Sequence, residues 1–546
     1  MPALHRTHLL LELDLTSAPL EAEPDDLVAK LRTRHRPRLR AVMRTLHEAG
    51  GDARVRGLVV KVGGGLPWAV AQELRAGLQA FAASGKPAVA WAETFGESGN
   101  GSADYLLASG CSEIWLQPSG EVGLIGVAAE TTFLRGMLDK IGIEPQLGQR
   151  YEYKSAADRI QRTEFTPAHR EAMDRAVESV WDGAVEAIAA ARGLSTDAVR
   201  AAADRAPLAA DEAQRAGLVD RLGYRDEVYA DVRSRVDGEV HLLFADQWKP
   251  RRPAASLVRR HKDVVALVDG IGQIAVGRSG GGPQGTRLGS ATVSAALRAA
   301  RDNEHVRAVL LRIDSPGGSA VASDTIWREV VLTRQAGKPV VVSMSNVAGS
   351  GGYYIACPAD VIVAQPATIT GSIGVLGGKA VVTGLLERLG LNTGAVERGE
   401  HARMFSPRRR FTDGEHERLD AMLDRVYADF VAKVSDGRRM SAEAVEGVAR
   451  GRIWTGADAA GNGLVDVLGG LRDAADLARE RGGLRSDAPL RPAVHVPPLA
   501  RLKRPASSED PRAGASTSAW GELAGLAAAL RLPAAGPLAM PALRLV

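Results

Sequence analysis

Runs of branched apolar residues alternate with helix-period stretches along this chain, and the same order of elements occurs twice. Gly57-Leu58-Val59-Val60-Lys61-Val62 reads as a strand, the glycines at 63–65 as a turn, Pro67 to Ser84 as a helix and Pro87–Glu93 as the next strand. Far downstream, Ala308–Ile313 reads as a buried strand, Asp314–Ser319 as a turn, Ala322–Gln335 as a helix and Pro339–Met344 as a strand. Strand, helix and strand at this spacing imply right-handed parallel crossovers. Two long stretches, 167–192 and 413–436, carry apolar residues three and four apart, with Trp181/Val185 and Tyr427/Val431 as equivalent pairs. That spacing predicts helices that pack the two copies together.

The repetition is also literal. GSADYLLASGCSEIWLQPSGEVGLIGV at 101–127 aligns without a gap on GSGGYYIACPADVIVAQPATITGSIGV at 349–375. Gly217-Leu218-Val219-Asp220 returns as Gly463-Leu464-Val465-Asp466, and Phe165-Thr166 as Phe411-Thr412. A period this long is far beyond any solenoid repeat, so it marks a duplicated domain. The expected fold class is α/β: two tandem domains of duplicated βαβ units with parallel sheets, over 1–250 and 251–490. Residues 491–546, rich in Pro and Ala, are expected to form a linker and a weakly ordered tail.

A length of 546 residues exceeds what one core serves, as the repeat requires. Aromatics make up only 4% of the chain, so Ala, Val, Leu and Gly must supply the apolar surface of helices laid on a parallel sheet. A net charge of +4 is small. The basic run Arg403–Arg410 lacks interleaved aromatics and reads as a solvated loop or an oligomer contact, not a nucleic-acid site. Cys111 and Cys357 occupy non-equivalent positions, so no disulfide framework is implied. The N-terminal stretch MPALHRTHLLLELDL is too short in apolar residues for a signal peptide, and no run approaches the roughly 20 needed to span a bilayer. A cytoplasmic or peripherally membrane-associated chain is therefore expected, with the apolar end from Leu523 to Val546 available for a membrane surface.

Motifs for metal hydrolysis, nucleotide binding and a GxSxG elbow are missing, and none of the eleven histidines sits beside a plausible nucleophile. What remains is Gly349-Ser350-Gly351-Gly352-Tyr353 at a strand-to-helix turn, where a serine hydroxyl points outward between glycines that let a substrate backbone approach. The turn Asp314-Ser315-Pro316-Gly317-Gly318-Ser319 follows the neighbouring strand, and its glycine N–H groups suit an oxyanion hole. Either motif alone is equally a tight βα turn. Comparison of the copies separates these readings. Ser102 takes the place of Ser350, but Gly351-Gly352 become Ala103-Asp104, and a carboxylate there would oppose a developing oxyanion. Ser102 thus reads as a relic. Lys154, in Tyr153-Lys154-Ser155-Ala156, has no lysine counterpart in Glu400-His401-Ala402-Arg403. A lysine held in a dry crevice loses its charge readily enough to act as a base.

Through SPGG at 315–318, SGGY at 350–353, TGSIG at 370–374 and YKSA at 153–156, the chain resembles the signal peptide peptidase A (protease IV) family in its long tandem-domain form. The resemblance implies a Clp/crotonase-type fold and a serine endopeptidase with no metal or cofactor. It implies Ser350 as nucleophile, Lys154 as general base and Ser372 as the residue orienting the lysine, where the first copy has Leu124. Gly351 and one of Gly317 and Gly318, with Gly318 favoured, would hold the oxyanion, and Gly317 and Gly352 would line the substrate. It further implies a homotetramer acting on extended peptides, such as released signal peptides, although long relatives carry an N-terminal membrane anchor that the resemblance does not find here. A crotonase-like acyl-CoA enzyme and a catalytically silent oligomeric scaffold are the alternative readings.

Overall fold

The computed structural model describes residues 8–22, 33–236, 238–250, 263–282, 285–494 and 538–539. The elements that bear on the site in the first copy are β1 (His8–Leu15), β2 (Val55–Val62), α1 (Trp68–Ala82), β3 (Ala88–Ala92), α2 (Ser102–Ala108), β4 (Glu113–Leu116), β5 (Glu144–Arg150), α3 (Pro167–Arg192), β6 (Arg221–Leu222) and β7 (Val240–Phe244). Those of the second run from β8 (Val264–Ile271), β9 (Gln273–Ala275), β10 (Val306–Ser315), β11 (Gly317–Gly318), α4 (Ala320–Gln335) and β12 (Val340–Gly349) to α5 (Gly351–Ala356), β13 (Val361–Ala364), β14 (Ile369–Gly371) and β15 (Val375–Val381). The chain continues through α6 (Asp413–Arg438), β16 (Ile453–Thr455), β17 (Val467–Leu468), α7 (Leu471–Arg481), β18 (Leu490–Pro492) and β19 (Leu538–Ala539).

Each copy builds a parallel sheet in the same order, β6-β4-β3-β2-β1-β7 in the first and β17-β13-β12-β10-β8-β18 in the second. Even a local irregularity is duplicated: the register shifts between Leu9 and Leu10 and again between Val264 and Val265. Strands covered on both faces should be apolar throughout, and β3 buries all five of its residues. Leu58, Val60 and Ala90 face Leu74, Phe81 and Tyr105, whereas Val59, Val89 and Trp91 pack under Val228 and Val232. The second copy adds β14 beside the C-terminal half of β12, with β16 antiparallel to it. The fold is therefore α/β with two tandem parallel-sheet units.

The two long helices start where the repeated Phe-Thr predicts. Thr166 Oγ accepts the His169 N–H at 3.2 Å, and Thr412 Oγ accepts the Glu415 N–H at 3.3 Å while Glu415 returns a bond from the Thr412 N–H at 3.0 Å. Both helices join the copies, as their apolar stripes imply. Ala172, Met173 and Ala176 on the first half of α3 pack on Ile369 and Ile453, and Tyr427 on α6 meets the Tyr151 ring at 4.9 Å. Trp181 and Val185, in contrast, stay in their own core.

Several elements differ from the sequence pattern. β10 continues through Ser315 and Gly317–Gly318 form a strand, so the Asp314–Ser319 turn is largely extended. The reason is a neighbour outside the local window: Gly318 pairs with Ile274 of β9. β1, in the apolar stretch at the N-terminus, is a sheet strand. β18 crosses the 490 boundary to pair with β8, and Leu538–Ala539 of the tail pairs with β11. Most of the rest of the tail, including Leu523 and Val546, lies outside the described residues. Arg408 and Arg410 of the basic run are exposed, as a solvated loop requires, while Arg409 pairs with the buried Glu415 and Arg410 also reaches Glu144 of the first copy at 2.8 Å. Among the described residues no helix is long and apolar enough to cross a membrane.

A buried ion cluster also ties the copies. Arg312 of β10 is 1% exposed and donates to Glu73 of α1 at 2.8 Å, to Glu21 at 2.9 Å and to Ser343 at 2.8 Å. The other Glu73 oxygen accepts the Leu471 N–H at 2.9 Å, fixing the start of α7. Burial pushes the Glu73 carboxyl upward while Arg312 opposes the shift. Removing one partner strands the other charge, so Arg312→Ala is expected to lower stability by about 3–5 kcal/mol in urea unfolding. Arg312→Met combined with Glu73→Met and Glu21→Met, which removes all three charges, is expected to cost less than the single change.

Candidate active site

Ser350 sits between the end of β12 and the start of α5 with φ 55° and ψ −116°, a conformation a non-glycine residue adopts only when its surroundings impose it. Its N–H donates to Gly371 O at 2.8 Å. The glycines after it are required by close approach. A Cβ on Gly352 would lie 2.7 Å from Ser315 O, and one on Gly351 would lie 3.2 Å from Gly317 Cα and 3.3 Å from Gly318 N. The Ser315–Gly318 segment and the serine turn are thus pressed together at the ends of neighbouring strands.

Lys154 arrives from the other copy. β5 and β15 form an antiparallel ladder from Glu144↔Val381 to Arg150↔Val375, so the loop that follows β5 is delivered directly over Ser372 and Ser350. The Tyr151 and Tyr153 N–H groups both donate to Arg450 O at 3.2 Å, and the Lys154 N–H closes back on Tyr151 O at 3.1 Å. The amine of Lys154 lies 2.8 Å from Ser350 Oγ, 2.9 Å from Ser372 O and 3.0 Å from Ser372 Oγ. All three side chains are fully buried. Burial alone drives the Lys154 pKa well below 10.5, with no carboxylate acting to restore it. Ser372 itself is held at φ 51° by its N–H bond to Arg452 O at 2.7 Å.

The glycines of β11 are not equivalent. The Gly317 N–H donates to Ser315 Oγ at 3.2 Å, whereas the amide two residues on, of Ser319, donates to Ile274 O at 3.0 Å. Strand alternation then turns the Gly318 N–H away from β9, toward the crevice. Gly318 has no substitute: at φ 153° a Cβ would fall 2.1 Å from Ile274 O. Just upstream, Asp314 accepts the Val347 N–H at 3.1 Å, and burial raises its pKa to about 6. This bond spans the register shift between β10 and β12 that lets both turns converge.

The first copy's equivalent crevice is closed. Asp104 accepts the Gly65 N–H at 2.9 Å and the Leu66 N–H at 3.2 Å, so the protein's own carboxylate occupies donors that correspond to the β11 turn. Burial raises this carboxyl's pKa. Ser102 Oγ accepts the Gly126 N–H at 3.1 Å, and Leu124 fills the place of Ser372.

The structure therefore gathers Ser350, Lys154, Ser372, Gly351, Gly318, Gly317 and Gly352 in one place, and leaves Ser102 outside it. Sequence reasoning missed the segment that holds the lysine. A Cβ on Gly451, at φ 89°, would lie 2.5 Å from Lys154 Cβ, and Arg450 clamps Glu152 at 2.8 Å. The only local signal was a lone glycine before a short strand. Gly451→Ala is expected to slow fluorophosphonate labelling of Ser350 by about tenfold or more, the effect of a 1 Å displacement of a reacting group, with far-ultraviolet circular dichroism unchanged.

Comparisons with known proteins agree with this duplicated architecture. Residues 80–238 and 333–485 match the model of peptidase family S49. The chain is 32% identical over 473 residues to the chloroplastic serine protease SPPA of Arabidopsis thaliana, covering 84% of this chain and 67% of that protein. It is 30% identical over 463 residues to protease 4 of Salmonella typhi, covering 81% and 72%, and 30% identical over 503 residues to protease 4 of Haemophilus influenzae, covering 88% and 80%. With one matched region in each copy and the similarity running through most of the sequence, the chain belongs to peptidase family S49.

Proposed function

We propose that the chain is a serine endopeptidase in which Ser350 is the nucleophile and Lys154 the general base, acting on extended peptides such as released signal peptides or unfolded proteins. The observation that carries this reading is the 2.8 Å contact between a fully buried lysine amine and the serine hydroxyl. A neutral amine has two N–H groups and one lone pair. Ser372 O and Oγ accept the two N–H groups, which leaves the lone pair for the Ser350 O–H.

Ser350 Oγ attacks the peptide carbonyl as Lys154 takes its proton, and the ammonium then protonates the leaving amine. Water resolves the acyl-enzyme with the same lysine as base. The Gly318 and Gly351 N–H groups hold the oxyanion, each contributing on the order of 3–4 kcal/mol to the transition state. The glycine edge of β11 recognises backbone rather than side chain, and the small and apolar surroundings suit small or apolar residues in the substrate. The names of the three relatives, all proteases, support the reaction class.

Ser350→Ala and Lys154→Ala are each expected to abolish casein cleavage, and Ser102→Ala to leave it nearly intact; comparable loss in all three variants would mean that the wrong copy has been assigned. Lys154→Arg is expected to be as inactive as the alanine variant, because a guanidinium stays protonated at working pH. The sign of the pH dependence follows from the lowered lysine pKa. Only the neutral amine is a base, so kcat/KM should rise with pH through the folded pKa of Lys154, with a midpoint well below 10.5. A pH–rate profile that falls over that interval would overturn the general-base role.

A further inference from the structure

Between Ile313 and Ser315 the ladder of β10 with β12 loses its register. Ile313 pairs with Met344 and Ser315 with Ala348, so Ser345, Asn346 and Val347 stand opposite Asp314 alone. Side chains hold this bulge in place. Thr368 Oγ donates to Ser345 O at 2.6 Å, Arg312 donates to Ser345 Oγ at 3.1 Å, and Asp314 accepts the Val347 N–H at 3.1 Å and the Asn346 amide at 3.4 Å. Three residues beyond Val347 stands Ser350, and four beyond Asp314 stands Gly318.

We propose, on the endopeptidase reading, that Asp314 is a positioning residue of this site: its ionised carboxylate pins the bulge that leads to the nucleophile onto the strand that leads to the oxyanion donor, and protonation slackens the pin. The backbone of Asp314 is itself anchored, since its O accepts the Gly272 N–H at 2.8 Å. Movement at the bulge therefore falls on β12. Because Gly351 abuts Gly317 Cα and Gly318 N, a shift of β12 against β10 changes the distance from Ser350 Oγ to the Gly318 N–H.

The surroundings of the carboxyl let it change state. Burial and the neighbouring charge of Glu21 raise its pKa to about 6, against the attraction of Arg312. Glu21 comes from the segment after β1, Arg312 from β10 itself, and β8 contributes Asp269, which pairs with Arg40 at 3.1 Å; the β8 residue directly opposite Asp314 is the apolar Ile271. A charge-assisted bond is the stronger one, so the ionised carboxylate holds Val347 more firmly. The protonated carboxyl must also place its proton. Asn346 Oδ1, a buried oxygen with no hydrogen-bond partner among the described residues, accepts that proton once the amide turns over, and the carboxyl is drawn from Val347 to Asn346. Stability and activity then move apart. A carboxyl whose folded pKa is raised lends stability in acid and loses it as pH rises through about 6, so acid favours the fold through Asp314 while it loosens the site.

Asp314→Asn, nearly equal in size and neutral at every pH, tests this in the full chain. kcat for an extended peptide is expected to fall about tenfold or more with KM unchanged, because the displaced donor matters most in the transition state. The thermal midpoint at neutral pH is expected to equal or exceed that of the unaltered protein. The acid limb of kcat/KM is expected to need two protonations in the unaltered protein, of Lys154 and Asp314, and one in the variant. An unchanged kcat, a variant limb that still needs two protonations, or a midpoint that falls together with kcat would each overturn the proposal. None of these is confused with failure of the endopeptidase reading, which would appear as full casein cleavage by Ser350→Ala.

Discussion

Everything at the candidate site depends on one antiparallel ladder whose two strands belong to different copies. Glu144–Arg150 and Val375–Val381 share main-chain hydrogen bonds along their whole length, so the relative placement of the copies is fixed by backbone geometry. The sequence makes room for it with glycine. A Cβ on Gly378, at φ 144°, would fall 2.1 Å from Gln146 O, and one on Gly148 would fall 2.8 Å from Leu423 of α6. Side chains then lock both ends. Arg150 reaches Asp420 at 3.1 Å and Asp424 at 2.5 Å, while the Phe411 N–H donates to Gln146 at 2.9 Å. Lys154 follows shortly after the ladder's last residue, and that short reach leaves its amine little freedom to wander.

The energetic cost of the site is considerable. Ser350 and Ser372 both hold positive φ values, at about 1–3 kcal/mol each, and a lysine is buried without a counter-charge. The two cores and the interface packing of α3 and α6 offset this. Asymmetry between the copies is part of the same arrangement. Where the second copy turns the Gly318 N–H away from β9, with no carboxylate among the described residues beside it, the first satisfies Gly65 and Leu66 internally with Asp104. A filled set of donors is more stable, so the first copy supplies scaffold and Lys154 while the second bears the strain.

Much of this was legible in the sequence because duplication acts as an internal control. Lys154 and Ser372 stood out as residues one copy has and the other lacks, Ser350 by the glycines that follow it where Ser102 has Ala103-Asp104, and the repeated Phe-Thr located both long helices to within a residue at their starts. What stayed hidden was set by partners distant in the chain. Gly317–Gly318 has the composition of a turn and becomes a strand only because β9 and β19 lie on either side of it. Gly451 carries no signal until Lys154 is seen pressed against it. The run Arg408–Arg410 likewise carries no local sign that Glu144 lies beside Arg410 across the interface.

The separation of Lys154 from Ser350 by 196 positions also has a meaning in time. At about 5–20 residues per second, a ribosome needs roughly 10–40 s to travel from the lysine codon to the serine codon. Throughout that interval the emerging first half holds Lys154 without Ser350. The serine then leaves the exit tunnel before Val375–Val381, the strand that must zip onto Glu144–Arg150 to bring the lysine home. The contact between Lys154 and Ser350 is thus withheld from the nascent polypeptide until both halves have been made and docked, so that on the proposed function the newborn chain and its neighbours on the polysome are spared.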